Sequence, residues 1–168
     1  VTQRQRSGPA AGDAEEIERK DDGGGHGVPI HTKYNTAMRH IHGIYLASTA
    51  VITGDVTCGP NVNLWYGAVV RGDVAPITLG DNVNIQDAAI VHCDYGVPNV
   101  IEAGVVIGHS AVVHGVRVGA DTLIGIGAKL LTGSNVGAEC IVAAGSVLPP
   151  GMVVPPRSLV MGVPGKVA

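Results

Sequence analysis

Residues 118–148 read VGADTLIGIGAKLLTGSNVGAECIVAAGSVL, and they set Val118, Ile124, Leu130, Val136, Val142 and Leu148 six apart without a break. Four places after each of the first five stands a small or β-branched residue or a cysteine: Thr122, Ala128, Ser134, Cys140 and Ser146. Gly119, Gly125 and Gly137 directly follow an aliphatic site, where a turn needs conformational freedom. A helix of period 3.6 cannot keep a six-residue spacing on one face over this length, and plain two-residue alternation does not call for the recurrent small residue. A parallel β-helix of hexapeptide repeats accounts for both. Each hexad is one short strand and a corner, three hexads close a coil, and coils stack about 4.8 Å apart.

Worked outward, the same spacing reaches Leu46, Ile52, Cys58, Leu64 and Val70, steps nine to Leu79, and continues through Ile85 and Val91. A second nine-residue step gives Val100, Val106 and Val112 before Val118. The expectation is therefore that Val100, Val106 and Val112 point inward. The fold class is all-β. Composition agrees: among 168 residues 45% are hydrophobic but only 3% aromatic, with no Phe and 25 Gly. A core of Val, Ile, Leu and Ala suits a narrow prism. Intrinsic disorder does not fit, because charged residues are 15% and the net charge is −3. That charge offers no nucleic-acid surface, and no apolar run is long enough for a membrane helix, so neither partner is expected.

Residues 1–27 are set apart. Ten of the 25 charges fall in 1–22, followed by Gly23-Gly24-Gly25. They read as a solvated flexible tail, with a short helix over Ala14–Lys20, ahead of a β-helix domain over 28–168. The start at Val1, with no secretory pattern, suggests a processed or trimmed end. The three cysteines make no even disulfide set, which favours a reducing compartment: the cytoplasm, or an organellar matrix if a targeting segment has been removed. Cys58 and Cys140 are expected as core fillers. Cys93 is expected to pack a corner, a soft metal contact being the alternative.

With three hexads to a coil, Arg71, His92 and His114 fall on one outer face, and Gln86, Asp87 and His109 on another. His92 and His114, on adjacent coils, are close enough to share an ion. His109 is five residues from His114 yet on a different face, so it does not easily join them within one chain; a second subunit could bring it, and a three-fold trimer juxtaposes unlike faces three times. Three neutral imidazoles with one open position are the ligand set of a catalytic zinc. Taken singly, each of these three histidines reads first as a surface or contact residue, and His26, His31, His40 and His42 read as surface residues. Arg71-Gly72-Asp73 is a chance adhesion tripeptide inside the repeat.

The motifs NLWYGAVVRGD (63–73), NIQD (84–87), His92 and GHSAVVH (108–114) together resemble the gamma-class carbonic anhydrases over roughly residues 40–168. The resemblance implies a left-handed β-helix homotrimer that hydrates carbon dioxide reversibly to bicarbonate, with zinc, or iron or cobalt in its place, at each subunit interface. By position it implies His92, His109 and His114 as metal ligands. It implies Arg71 and Asp73 as an interface pair, with Arg71 reaching an acid such as Asp87 of a neighbour. Gln86 matches the residue that orients the attacking hydroxide, and Asn84 a polar residue near the carbon dioxide. Two features depart from the pattern. Val74 stands where an active-site Glu can occur, and the segment CDYGVPN (93–99) lacks an acidic loop, which leaves Asp94 as the nearby carboxylate for a proton relay. The sequence given also ends at Ala168, where relatives continue into a C-terminal helix. A catalytically weak structural or assembly subunit of the same type, and a hexapeptide acyltransferase, are the alternatives.

Overall fold

The computed structural model describes residues 38–168. The charged tail, the Ala14–Lys20 helix, His26, His31 and the domain start at residue 28 lie outside the described residues. Within them the chain is a stack of short parallel strands with no helix, many of two residues, such as Leu123–Ile124, Lys129–Leu130 and Asn135–Val136. No helix there is long and apolar enough to cross a membrane.

Three faces result. On the first, Leu64 pairs with Ile85, Ile85 with Ile107, Ile107 with Ile124 and Ile124 with Val142. On the second, Val70 pairs with Val91, Val91 with Val113 and Val113 with Leu130. On the third, Leu79 pairs with Ile101, Ile101 with Val118 and Val118 with Val136. Strands Val51–Cys58 and Val69–Leu79 run from the second face on to the third, joining those faces into one 10-stranded sheet. Antiparallel pairs close both ends: Arg39–Ile41 on Ile44–Leu46, and Leu159–Met161 on Lys166–Val167.

The inward column is mostly Val, Ile, Leu and Ala, fully buried from Leu64 onward and partly buried at Leu46, Ile52 and Cys58 of the first coils. The narrow prism leaves each coil room for one aliphatic side chain per face and a small residue two places before it, such as Ala68, Ala89, Ala111 and Ala128 on the second face. Corners turn through the left-handed region, with φ of 60° at Asn61, 59° at Asn82, 57° at Ala88 and 57° at Ser110. Asn visits that region more easily than most residues, and here Asn61 Nδ2 also donates to Asn82 Oδ1 on the next coil at 3.2 Å.

The repeat register needs one correction. Ile101, Ile107 and Val113 are the buried residues, whereas Val100 is 36% exposed and Val106 and Val112 are half-buried. The long step runs ten residues, from Val91 to Ile101, and Val113 to Val118 is a shortened step of five. The small inner residue is correspondingly Ala111; Ser110 is exposed at the corner. Nine-residue spacing fails because the 92–99 excursion is one residue longer than the aliphatic pattern requires, and the tight Gly115 corner absorbs the difference. There an added Cβ would lie 2.5 Å from the Ser134 carbonyl oxygen.

Candidate metal centre

Arg71, His92 and His114 each directly follow an inward aliphatic residue of the second face: Val70, Val91 and Val113. Arg71 and His92 are register partners. His92 and His114 stack, ring centroids 5.2 Å apart and planes at 25°. Between Arg71 and Asp73 the chain is pressed against the preceding coil: a Cβ on Gly72 would lie 2.4 Å from the Asp55 carbonyl oxygen. The bare glycine lets Arg71 and Asp73 flank one point, where Arg71 Nη1 donates to Asp73 Oδ2 at 2.6 Å. The hydrogen bond from Arg71, with help from His92, holds the Asp73 carboxyl below its ordinary range.

A carboxylate meets each stacked ring. His92 Nε2 is 3.1 Å from Asp73 Oδ1, and His114 Nε2 is 3.1 Å from Asp94 Oδ1. Arg71 Nη2 is 3.4 Å from His92 Nδ1, so a ring protonated on Nε2 and accepting at Nδ1 satisfies both neighbours. Asp94 opens the turn that carries Tyr95, which is 89% exposed. That turn is closed by Val97 N–H donating to the Asp94 carbonyl at 3.0 Å and tied to the coil before it by Gly96 N–H donating to the Val74 carbonyl at 3.1 Å. Gly96, at φ 72°, supplies the left-handed step.

The first face carries Asn84, Gln86, Asp87 and His109. The pairing of Ile85 with Ile107 sets Asp87 level with His109, and Asp87 Oδ2 lies 2.9 Å from His109 Nδ1. The other oxygen, Oδ1, accepts the Tyr66 N–H at 3.2 Å. Asn84 Oδ1 is buried without a hydrogen-bond partner. Arg71 pairs with Asp73 of its own chain here.

Two of the three histidines thus share a face, and the third belongs to another. Among the described residues, no three His, Cys, Asp or Glu side chains gather to hold a metal within one chain. The donor set suits a transition metal: two neutral imidazoles side by side with carboxylates in reach, and a third imidazole oriented by an acid. Cys93 does not join it. Its thiol is buried, donates to the Ala75 carbonyl at 3.3 Å and is pushed up by desolvation, so it packs the corner. Cys140 fills the core as the repeat indicates, while Cys58 is only half-buried. His40 and His42 are exposed, and His40 stacks on Tyr45 with centroids 4.6 Å apart. Asn99, which the six-residue spacing does not single out, is buried. Its signal is a buried amide at the foot of the longest step.

Fold and site together define a hexapeptide-repeat β-helix protein with histidines on two of its faces. The chain is 46% identical over 124 residues to a probable carbonic anhydrase of Methanocaldococcus jannaschii, covering 74% of this chain and 78% of that one. It belongs to the gamma-class carbonic anhydrase family. It is also 39% identical over 129 residues to gamma carbonic anhydrase 2, mitochondrial, of Arabidopsis thaliana, covering 73% of this chain and 46% of that longer one. Among solved structures it resembles a hexapeptide transferase family protein of Anaplasma phagocytophilum, with TM-score 0.72 and 36% identity over 76% of this chain and 75% of that one. No protein-family model matches the chain.

Proposed function

We propose that this chain is a metal-dependent carbonic anhydrase that hydrates carbon dioxide reversibly at sites shared between the subunits of a homotrimer. His92 and His114 of one subunit and His109 of the next would hold the ion. One observation carries the reading: the stacked His92–His114 pair occupies one face while His109 sits on another. Zinc on three neutral imidazoles, or iron or cobalt in its place, supplies a Lewis acid that makes water a strong nucleophile near neutral pH.

The chain's own residues do the rest. Asp87 orients the His109 ring through Nδ1. Gln86, which follows Ile85 on the same face as Asp87 and His109, is the amide we assign to orienting the nucleophile. Asn84 keeps an unsatisfied buried acceptor beside it, which suits a small polar guest. Asp94, on His114, is the carboxylate we assign to the proton path. Arg71 and Asp73 hold one another and His92 at the edge of the subunit contact. His92, His114 and His109 would each have to be neutral and offer a nitrogen lone pair, so uptake would weaken as pH falls.

A second reading has one observation in its favour. Residues 95–98, Tyr-Gly-Val-Pro, bring no carboxylate to the turn beside His114, which suits a metallated but slow assembly subunit. Stopped-flow carbon dioxide hydration on anaerobically purified protein, with metal counted in the same sample, separates the two. A rate that tracks one metal per subunit supports the enzyme. Full metal without a rate supports the assembly role, and no metal at all refutes the ligand set.

A further inference from the structure

We infer that Asn99 is a positioning residue for the metal centre, a side-chain substitute for the corner hydrogen bond that the 92–99 excursion removes. This inference rests on the site proposed above. In a regular coil the residue after the inward aliphatic accepts, through its carbonyl, the N–H of the residue three places on. Trp65 accepts from Ala68, Gln86 from Ala89, Gly108 from Ala111 and Leu131 from Ser134, at 3.0 to 3.1 Å. His92 occupies the place of Leu131, and Asn99, two residues before Ile101, occupies the place of Ser134. Four more residues separate His92 from Asn99 than separate Leu131 from Ser134, which takes the backbone amide out of reach. Asn99 Nδ2 donates to the His92 carbonyl instead, at 3.1 Å.

Asn99 is fully buried, and its Oδ1 has no partner. A carbonyl requires a donor, so the orientation of the amide is fixed by chemistry. An unsatisfied buried acceptor destabilises the fold, and the apolar Ile77 occupies the equivalent place on the coil before. Packing alone would favour an aliphatic residue at this place too. What the amide adds is a staple across the base of the turn that starts at His92, bears Asp94 against His114, and is otherwise tied down by Gly96 and Val97. Through it the stacked imidazole pair and its carboxylate keep one geometry.

The test compares Asn99→Leu and Asn99→Ser with the wild type in the full chain. Asn99→Leu fills the column with apolar surface and removes the orphaned acceptor, which offsets leaving the His92 carbonyl without its donor, so metal-free protein should melt close to wild type. Its zinc affinity should nevertheless fall about 10–100-fold, the usual effect of losing a ligand-orienting partner. The absorption spectrum of the cobalt-substituted protein should change, and the Gly96 and Val97 amides should exchange faster. Asn99→Ser keeps a shorter donor and should fall between. Wild-type zinc affinity, cobalt spectrum and exchange in Asn99→Leu would overturn the inference while leaving the metal site intact. If the wild type itself takes up no zinc, the site reading fails, and exchange at Gly96 and Val97 then decides the staple alone: faster exchange in Asn99→Leu upholds it and unchanged exchange refutes it.

Discussion

His109 presents Nδ1 to Asp87 at 2.9 Å, an acid on the same face and the coil before. A proton shared there leaves the Nε2 lone pair as the ring's donor to a metal and fixes the ring plane. Asp87→Asn keeps the shape but offers an amide that can turn its own donors to the ring. Zinc affinity should drop about 10–100-fold with the fold unchanged, measured by competition with a chelator. An unaltered affinity would remove Asp87 from the site.

Because His109 stands on a different face from His92 and His114, defects in the two halves should complement. His109→Ala and His92→Ala should each lose metal and activity while the stack still folds, since His109 is half-exposed and His92 points away from the core. Chains carrying one change each, co-expressed, regain complete sites wherever the second face of a His109→Ala chain meets the first face of a His92→Ala chain. Random assembly predicts about a quarter of wild-type sites in the mixed trimer. Zinc counting and hydration rate on the mixture check this, and a ligand set drawn from one chain would give no recovery.

The register around residue 100 can be tested by a pair of neighbours. Ile101 is fully buried and Val100 is 36% exposed. Ile101→Ala should cost about 2–5 kcal/mol, transfer and cavity together. Val100→Ala should stay within about 0.5 kcal/mol. Thermal or urea unfolding distinguishes them, and the reverse order would restore a nine-residue step.

Glu102 accepts Arg117 Nε at 2.7 Å and the Ala120 N–H at 2.9 Å, and the Arg117 contact chiefly lowers its carboxyl from the ordinary value. A depressed folded pKa gives stability that is present above the unfolded value of about 4.3 and is lost as pH falls through the folded one. Both side chains are about a third exposed, so the whole contribution should stay under about 1 kcal/mol. Glu102→Gln should therefore melt slightly below wild type at neutral pH, and the two curves should converge as pH is lowered below 4.3 or so. A gap that persists in acid would mean that packing, not charge, supplies it.

The period, the three faces and the separation of His109 from the His92–His114 pair were legible in the sequence, because six-residue spacing alone assigns a residue to its face. The offset at 100–112 was not. Val106-Ile107 and Val112-Val113 each place two aliphatic residues side by side, and either member satisfies the spacing. Aligning Ala111-Val112-Val113 with Ala89-Ile90-Val91, small residue to small residue, would have resolved it. Asn99 was illegible for a further reason: its amide has a purpose only once the corner is known to be too long for its backbone bond. The carboxylate contacts of His92 and His114 depend on where the 73–76 and 93–98 segments fold back, which no periodicity specifies.

The excursion after His92 is looped out at its corner: Ile101 still pairs with Leu79 on the coil before and Val118 on the coil after. Everything beyond Val118 stacks as though the insertion had never occurred. This corner is thus a cassette: its length and chemistry can change beside the imidazoles while the scaffold keeps its register, as long as a side-chain staple makes up the difference. The proposed metal centre can vary here without drawing on the stability of the prism that carries it.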